Sequence, residues 1–173
     1  MELSDILNLK RINNYGVAST AIGGTDDTDF VNRFLNESLS TYQEIDSETD
    51  LIFIFGGHND FETQGNLGNT TNETLYGFLY LLYNGLKEKY PSATIVFATP
   101  LQRAEEGGNN FMRGVARIIK DYCDTNNIPV IDLYNESGIT IENSSTYLMD
   151  GVHPNDEGYT LVANAIANFL LNL

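Results

Sequence analysis

The sequence predicts an α/β fold of three layers, in which a parallel sheet of about four to five strands is covered on both faces by helices. Two observations predict it. Three short apolar runs bounded by turn formers, at residues 51–55, 93–98 and 128–133, alternate with longer stretches of helical periodicity, the succession that builds a parallel sheet. The runs are also apolar throughout instead of alternating with polar residues, as expected of strands covered on both sides.

In chain order, residues 2–9 read as the end of a helix, and residues 12–18 are a weaker strand candidate. A helix is expected over 29–42, followed by the strand at 51–55. The next helix spans 73–90, with Leu75, Phe78, Leu79, Leu82 and Leu86 at helical spacing, Thr71 or Asn72 as its cap and Pro91 beyond its end. After the strand at 93–98, a helix at 110–126 carries Phe111, Val115, Ile118, Ile119 and Tyr122 as its buried stripe. The strand at 128–133 and a last helix at 156–171 complete one domain covering residues 1–173, without repeats or linkers.

Composition removes several functions. With 9 Lys+Arg against 24 Asp+Glu, the net charge of −15 repels polyanions, so no nucleic-acid partner is expected. The apolar runs are far short of the ~20 residues of a membrane span. A single cysteine, Cys123, permits neither an internal disulfide nor a cysteine-based zinc site, and no metal or other cofactor is expected. Residues 1–5 lack the basic and apolar regions of a secretory signal. That start fits a cytoplasmic protein, or a portion of a longer or secreted product.

The residues with chemical potential lie just past strand ends, where open α/β sheets bind their ligands. Asp150 and His153, three apart ahead of the last helix, suit a carboxylate that orients an imidazole while its other nitrogen faces a cleft. The plainer alternative is that the pair caps the helix and closes a turn. Gly57 and Asn59 follow the first strong strand. A glycine there allows close backbone approach, and an asparagine amide can donate to an oxyanion, although Asn59 in a simple Asx turn would give the same pattern. A third glycine-bearing segment, Asn14-Tyr15-Gly16, falls at the weaker strand.

Three blocks together resemble those of the SGNH hydrolases, also called GDSL esterases and lipases. Gly57-His58-Asn59-Asp60 is similar to the family's Gly-x-Asn-Asp block. The run from Asp150 through His153-Pro154-Asn155 to Glu157-Gly158-Tyr159 resembles the block carrying the acid and base. Residues 14–19 resemble the Asn-x-Gly-x-Ser-Gly block, with Ser19 where the family usually has glycine. The resemblance implies a flavodoxin-like sheet, Asp150 and His153 as acid and base, and an oxyanion hole framed by Asn59, Gly57 and the backbone of Ser19. It also implies His58 and Asp60 in the substrate pocket, and as substrate a small-molecule, glycan or lipid ester.

One block has no counterpart. No Gly-Asp-Ser, the family's nucleophile-bearing tripeptide, occurs in the 173 residues. Ser4 and Ser19 are the substitutes considered, Ser19 being better placed for an approach to His153. The expectation is a carboxylic ester hydrolase with impaired turnover. The alternatives are an inactive relative that binds acylated glycans or lipids, and a metal-dependent phosphoesterase using His58, Asp60, Asp150 and His153. The loops at 61–71 and 102–110 are expected to set specificity, though plain surface loops would look the same.

Overall fold

The computed structural model describes residues 3–60 and 74–173. Its sheet contains three described strands, β1 (Leu51–Phe55), β2 (Thr94–Ala98) and β3 (Val130–Ile131), all parallel and in the order β1-β2-β3. Seven helices surround it among the described residues: α1 (Leu3–Leu7), α2 (Phe30–Leu35), α3 (Leu75–Lys89), α4 (Glu106–Asn126), α5 (Leu133–Glu136), α6 (Ser144–Tyr147) and α7 (Asp156–Leu171).

The apolar runs explain the layers. On one face of the sheet, Ile52, Ile54, Ile95 and Phe97 pack against Leu79, Leu82 and Leu86 of α3 and Val115, Ile119 and Tyr122 of α4. On the other, Ala98 and Ile131 belong to a second cluster with Val162 and Ile166 of α7, and Leu3 and Phe53 pack against it. Alternate residues of each strand thus enter different cores, which is why the runs are apolar without a break.

Several sequence expectations need correction. The expected four to five strands become three among the described residues. Residues 12–18, the weaker strand candidate, form no strand, because a strand exists only where a neighbour completes its ladder. The last strand shrinks from 128–133 to two residues: Pro129 has no N–H, and the Asp132 carboxylate accepts the Asn135 N–H at 3.3 Å, turning the chain into α5. Helix α2 stops at Leu35, well short of 42, where the Asn36 side chain accepts from the Ser38 N–H at 3.2 Å. Helix α4 starts four residues earlier than expected, at Glu106, because the Glu105 carboxylate takes the Gly107 and Gly108 N–H groups at 2.7 and 2.6 Å. The loop expected at 102–110 is therefore partly helix. Helix α3 is capped by Thr74, which accepts from the Gly77 N–H at 3.0 Å. Residues 71 and 72, the expected caps, and most of the expected loop at 61–71 lie outside the described residues.

Candidate active site

The loop joining α6 to α7 holds Asp150 and His153. Its neck is closed by an antiparallel bridge between Leu148 and Pro154 and by the Met149 N–H donating to the His153 carbonyl at 2.8 Å. Inside this tight loop Asp150 Oδ1 accepts the N–H groups of Val152 and His153 at 3.0 and 2.8 Å, while Oδ2 lies 2.8 Å from His153 Nδ1. The cap of α7 is neither of them. Asn155 does that work, its side chain accepting from the Gly158 N–H at 2.9 Å.

The electrostatics follow from those bonds. The His153 backbone N–H, the His153 ring and the Val152 N–H hold the Asp150 carboxyl down to about 2. Asp150 is therefore ionised at neutral pH and orients the imidazole, whose Nε2 has no hydrogen-bond partner among the described residues, in a side chain that is 65 % exposed.

Two loops are stitched together opposite the pair. Past β1, Gly57 turns the chain at φ +106°, and a Cβ there would come within 2.8 Å of Val115 on α4, so the position requires glycine. Asn59 is exposed and donates its amide to the Thr20 carbonyl at 3.1 Å, leaving its second amide hydrogen for a ligand. Asp60 is only 1 % exposed and accepts the Ile22 N–H at 3.1 Å and the Gly23 N–H at 3.4 Å. It fixes the 20–23 loop from below the surface.

His58 sits against Phe55, ring centroids 6.4 Å apart, and its buried Nε2 has no hydrogen-bond partner among the described residues. Burial, then the nearby Arg103 and His153 charges, push His58 down to about 4, so its ring is neutral at pH 7. The His58 and His153 imidazoles are thus within electrostatic reach of each other. Arg103 is a residue the sequence reading missed. It follows β2, donates to the His58 carbonyl at 3.4 Å, and neighbours Ala104, whose N–H donates to the Gly151 carbonyl at 2.9 Å. The loop after β2 thereby ties the Asn59 loop to the Asp150–His153 loop. Position past a strand end is the only signal that would have found it.

Ser19 is exposed with φ +65°, so the substitution for glycine is accommodated by a left-handed backbone. Ser19→Gly is expected to stabilise the fold by about 1 kcal/mol, through relief of that strain, read as a shift of the urea midpoint at constant slope. Ser4 lies in α1, and its side chain is outside the described residues. Cys123 is fully buried on α4 and its thiol is pushed up to about 12 by burial, so it offers no thiolate.

His58 and Asp60 also make a prediction about pH. Below its ordinary value of 6.5 the unfolded His58 takes a proton that the folded one refuses until about 4, so its contribution to stability is lost as pH falls through that window. Asp60 behaves oppositely: burial raises it from 3.8 to about 6, so the folded state keeps a proton that the unfolded state has lost, and stability falls as pH rises from 4 to 6. The two effects oppose each other between pH 4 and 6. Asp60→Asn removes one of them, and on acidification from pH 6.5 to 4 this variant is expected to lose up to about 3 kcal/mol relative to the parent. Urea titrations at several pH values measure it, and parallel curves for the two proteins would refute it.

Comparison with known proteins bears on the fold and the family. No curated protein matches the chain. One solved structure is 31 % identical, covering 92 % of this chain and 78 % of its own, with a TM-score of 0.75. A protein from Lactobacillus plantarum is 24 % identical, with 98 % and 85 % coverage and a TM-score of 0.80. The native aryl esterase of M. smegmatis, 18 % identical, covers 99 % and 83 % at a TM-score of 0.67. Residues 2–161 match the sequence model of the GDSL-like lipase/acylhydrolase family, and the chain belongs to that family.

Proposed function

We propose that the cleft between the Asn59 and His153 loops hydrolyses carboxylic esters by the serine mechanism of the family. The observation that carries this reading is the Asp150–His153 Nδ1 contact at 2.8 Å, with Nε2 unbonded among the described residues. In the reaction, Nε2 takes the proton of a serine hydroxyl as its oxygen attacks the ester carbonyl. The oxyanion that forms is held by the free Asn59 amide hydrogen and by backbone N–H groups near Ser19. The imidazolium, steadied by Asp150, protonates the departing alkoxide. Water then repeats the sequence on the acyl-enzyme, restoring serine and releasing the acid.

The attacking serine belongs to the Gly-Asp-Ser block, which these 173 residues do not contain. That fact favours a second reading, a cleft that binds acylated glycans or lipids without turning them over. A metal-dependent phosphoesterase is disfavoured, because among the described residues no three His, Cys, Asp or Glu side chains are gathered as metal ligands.

The test compares the chain with His153→Ala on a chromogenic acetate ester, with calorimetry on acetylated oligosaccharides alongside. The hydrolase reading expects slow turnover that depends on His153. Identical rates for the two proteins, with binding retained, would replace it by the binding reading.

A further inference from the structure

The hairpin that carries Asp150 and His153 fixes a third side chain as well. Leu148 bridges to Pro154, the Met149 N–H donates to the His153 carbonyl and the Asn155 N–H donates to the Tyr147 carbonyl. This antiparallel register sets Met149 directly across from His153. Opposed residues hold their side chains on the same face, with Cβ atoms roughly 5 Å apart, and the next pair along points the other way. Burial follows that alternation. Leu148 and Pro154 are buried, Leu148 in the core cluster under α7, whereas Met149 and His153 are both exposed. The thioether of Met149 therefore flanks the imidazole whose Nε2 is unbonded.

Met149 is 69 % exposed, more than any other large apolar side chain among the described residues. A single apolar side chain on a surface means nothing by itself. This one stands beside His153 and belongs to none of the core clusters. Its backbone N–H closes the neck of the hairpin, a task that any residue except proline would perform.

The stereochemistry of ester cleavage says which part of a substrate comes to that place. Nε2 gives its proton to the leaving oxygen, while the carbonyl oxygen turns towards the Asn59 amide. The group bonded to the leaving oxygen, which is the alcohol part of the ester, then lies over the side chains that flank the His153 ring. The acyl part points away from them.

We propose that Met149 is a specificity-determining residue, which receives the alcohol part of the ester and favours aryl and alkyl alcohols over polyols and sugars. A thioether has a polarisable sulfur and a flexible stem, so it settles against an aromatic ring or an alkyl chain. To a hydroxyl-rich alcohol it offers no donor and only a weak acceptor. Asp150 does not make up for this, because Oδ1 is occupied by the Val152 and His153 N–H groups and Oδ2 by the His153 ring. Which part of the ester lies against Met149 rests on the hydrolase reading. That Met149 borders His153 rests on the hairpin alone.

Two isomeric esters test the assignment. Phenyl acetate carries its ring on the alcohol and methyl benzoate carries it on the acyl group. In the 173-residue chain with isotope-labelled methionine methyl carbons, phenyl acetate is expected to move the Met149 methyl resonance upfield by ring current, and further than methyl benzoate does. The methyl group of Met112, which is fully buried, is the internal control and is expected to stay in place. Met149→Ser leaves the backbone bond to His153 intact at an exposed position. It is expected to weaken phenyl acetate binding about fivefold and glycerol monoacetate binding by less than about twofold. An unmoved Met149 methyl, an equal or larger shift with methyl benzoate, a Met112 methyl that moves as far, or equal weakening of both acetates would overturn the proposal. The shifts are read on bound ester and need no turnover, whereas the hydrolase reading stands or falls on the His153→Ala rates, so each can fail alone.

Discussion

Hydrolysis of 4-nitrophenyl acetate by the 173-residue chain is expected to fall at least about 10⁴-fold below that of a serine esterase that carries its nucleophile. The reason is the way such sites divide their work. Loss of the nucleophile removes the covalent step, and the residual advantage over water comes from the oxyanion donors and from binding. A 10⁴-fold loss corresponds to about 5.5 kcal/mol of transition-state stabilisation. General-base activation of water by His153 adds to this residual rate, so His153→Ala is expected to lower the rate further without bringing it down to that of buffer. Ser19→Ala is expected to leave the rate unchanged within about twofold, since the Ser19 backbone N–H survives the substitution. A rate equal to that of such an esterase, lost on Ser19→Ala, would instead make Ser19 the nucleophile. Initial rates at a single pH for the three proteins decide the matter.

Gly158→Ala is expected to have the largest effect on stability, at about 3 kcal/mol or more, with Tm lowered by about 10 °C. Gly158 lies in the first turn of α7, and a Cβ there would sit 2.3 Å from the Tyr147 carbonyl oxygen and 3.0 Å from Pro154 Cβ. The first of these is backbone and cannot step aside as a flexible side chain would. That same carbonyl accepts the Asn155 N–H at 2.9 Å, and Asn155 caps the helix through the Gly158 N–H. Relieving the clash therefore opens the neck of the loop that holds Asp150 against His153. Thr160→Ala, at an exposed position in the same helix, serves as the control and is expected to stay within about 0.5 kcal/mol. Thermal melts of the two variants are the measurement. A Gly158→Ala protein within 1 kcal/mol of the parent would show that α6 and α7 separate freely.

Much of the site could be read from the sequence because its parts are local. Asp150 and His153 are three residues apart, and a loop that short leaves the carboxylate few partners other than the neighbouring N–H groups and ring. Gly57 and Asn59 follow a strand whose five apolar residues are found in the structure at the expected positions. Residues whose role depends on distant partners were read less well. Asp60 holds the 20–23 loop, a contact between segments 38 residues apart that no local pattern announces. Arg103 has no local pattern and acquires its place only because the loops after β1 and β2 meet.

The same division holds for the fold. Apolar runs, helical periodicity and the polar residues past the strand ends determined the α/β class, the long helices α3, α4 and α7, and the family blocks, because burial and capping act on neighbours in the chain. Tertiary structure alone decided which segments pair. Residues 12–18, a weaker candidate, form no strand, and residues 128–133 yield only Val130–Ile131. Backbone hydrogen bonds need a partner strand at the right distance, and no composition of a single segment supplies one.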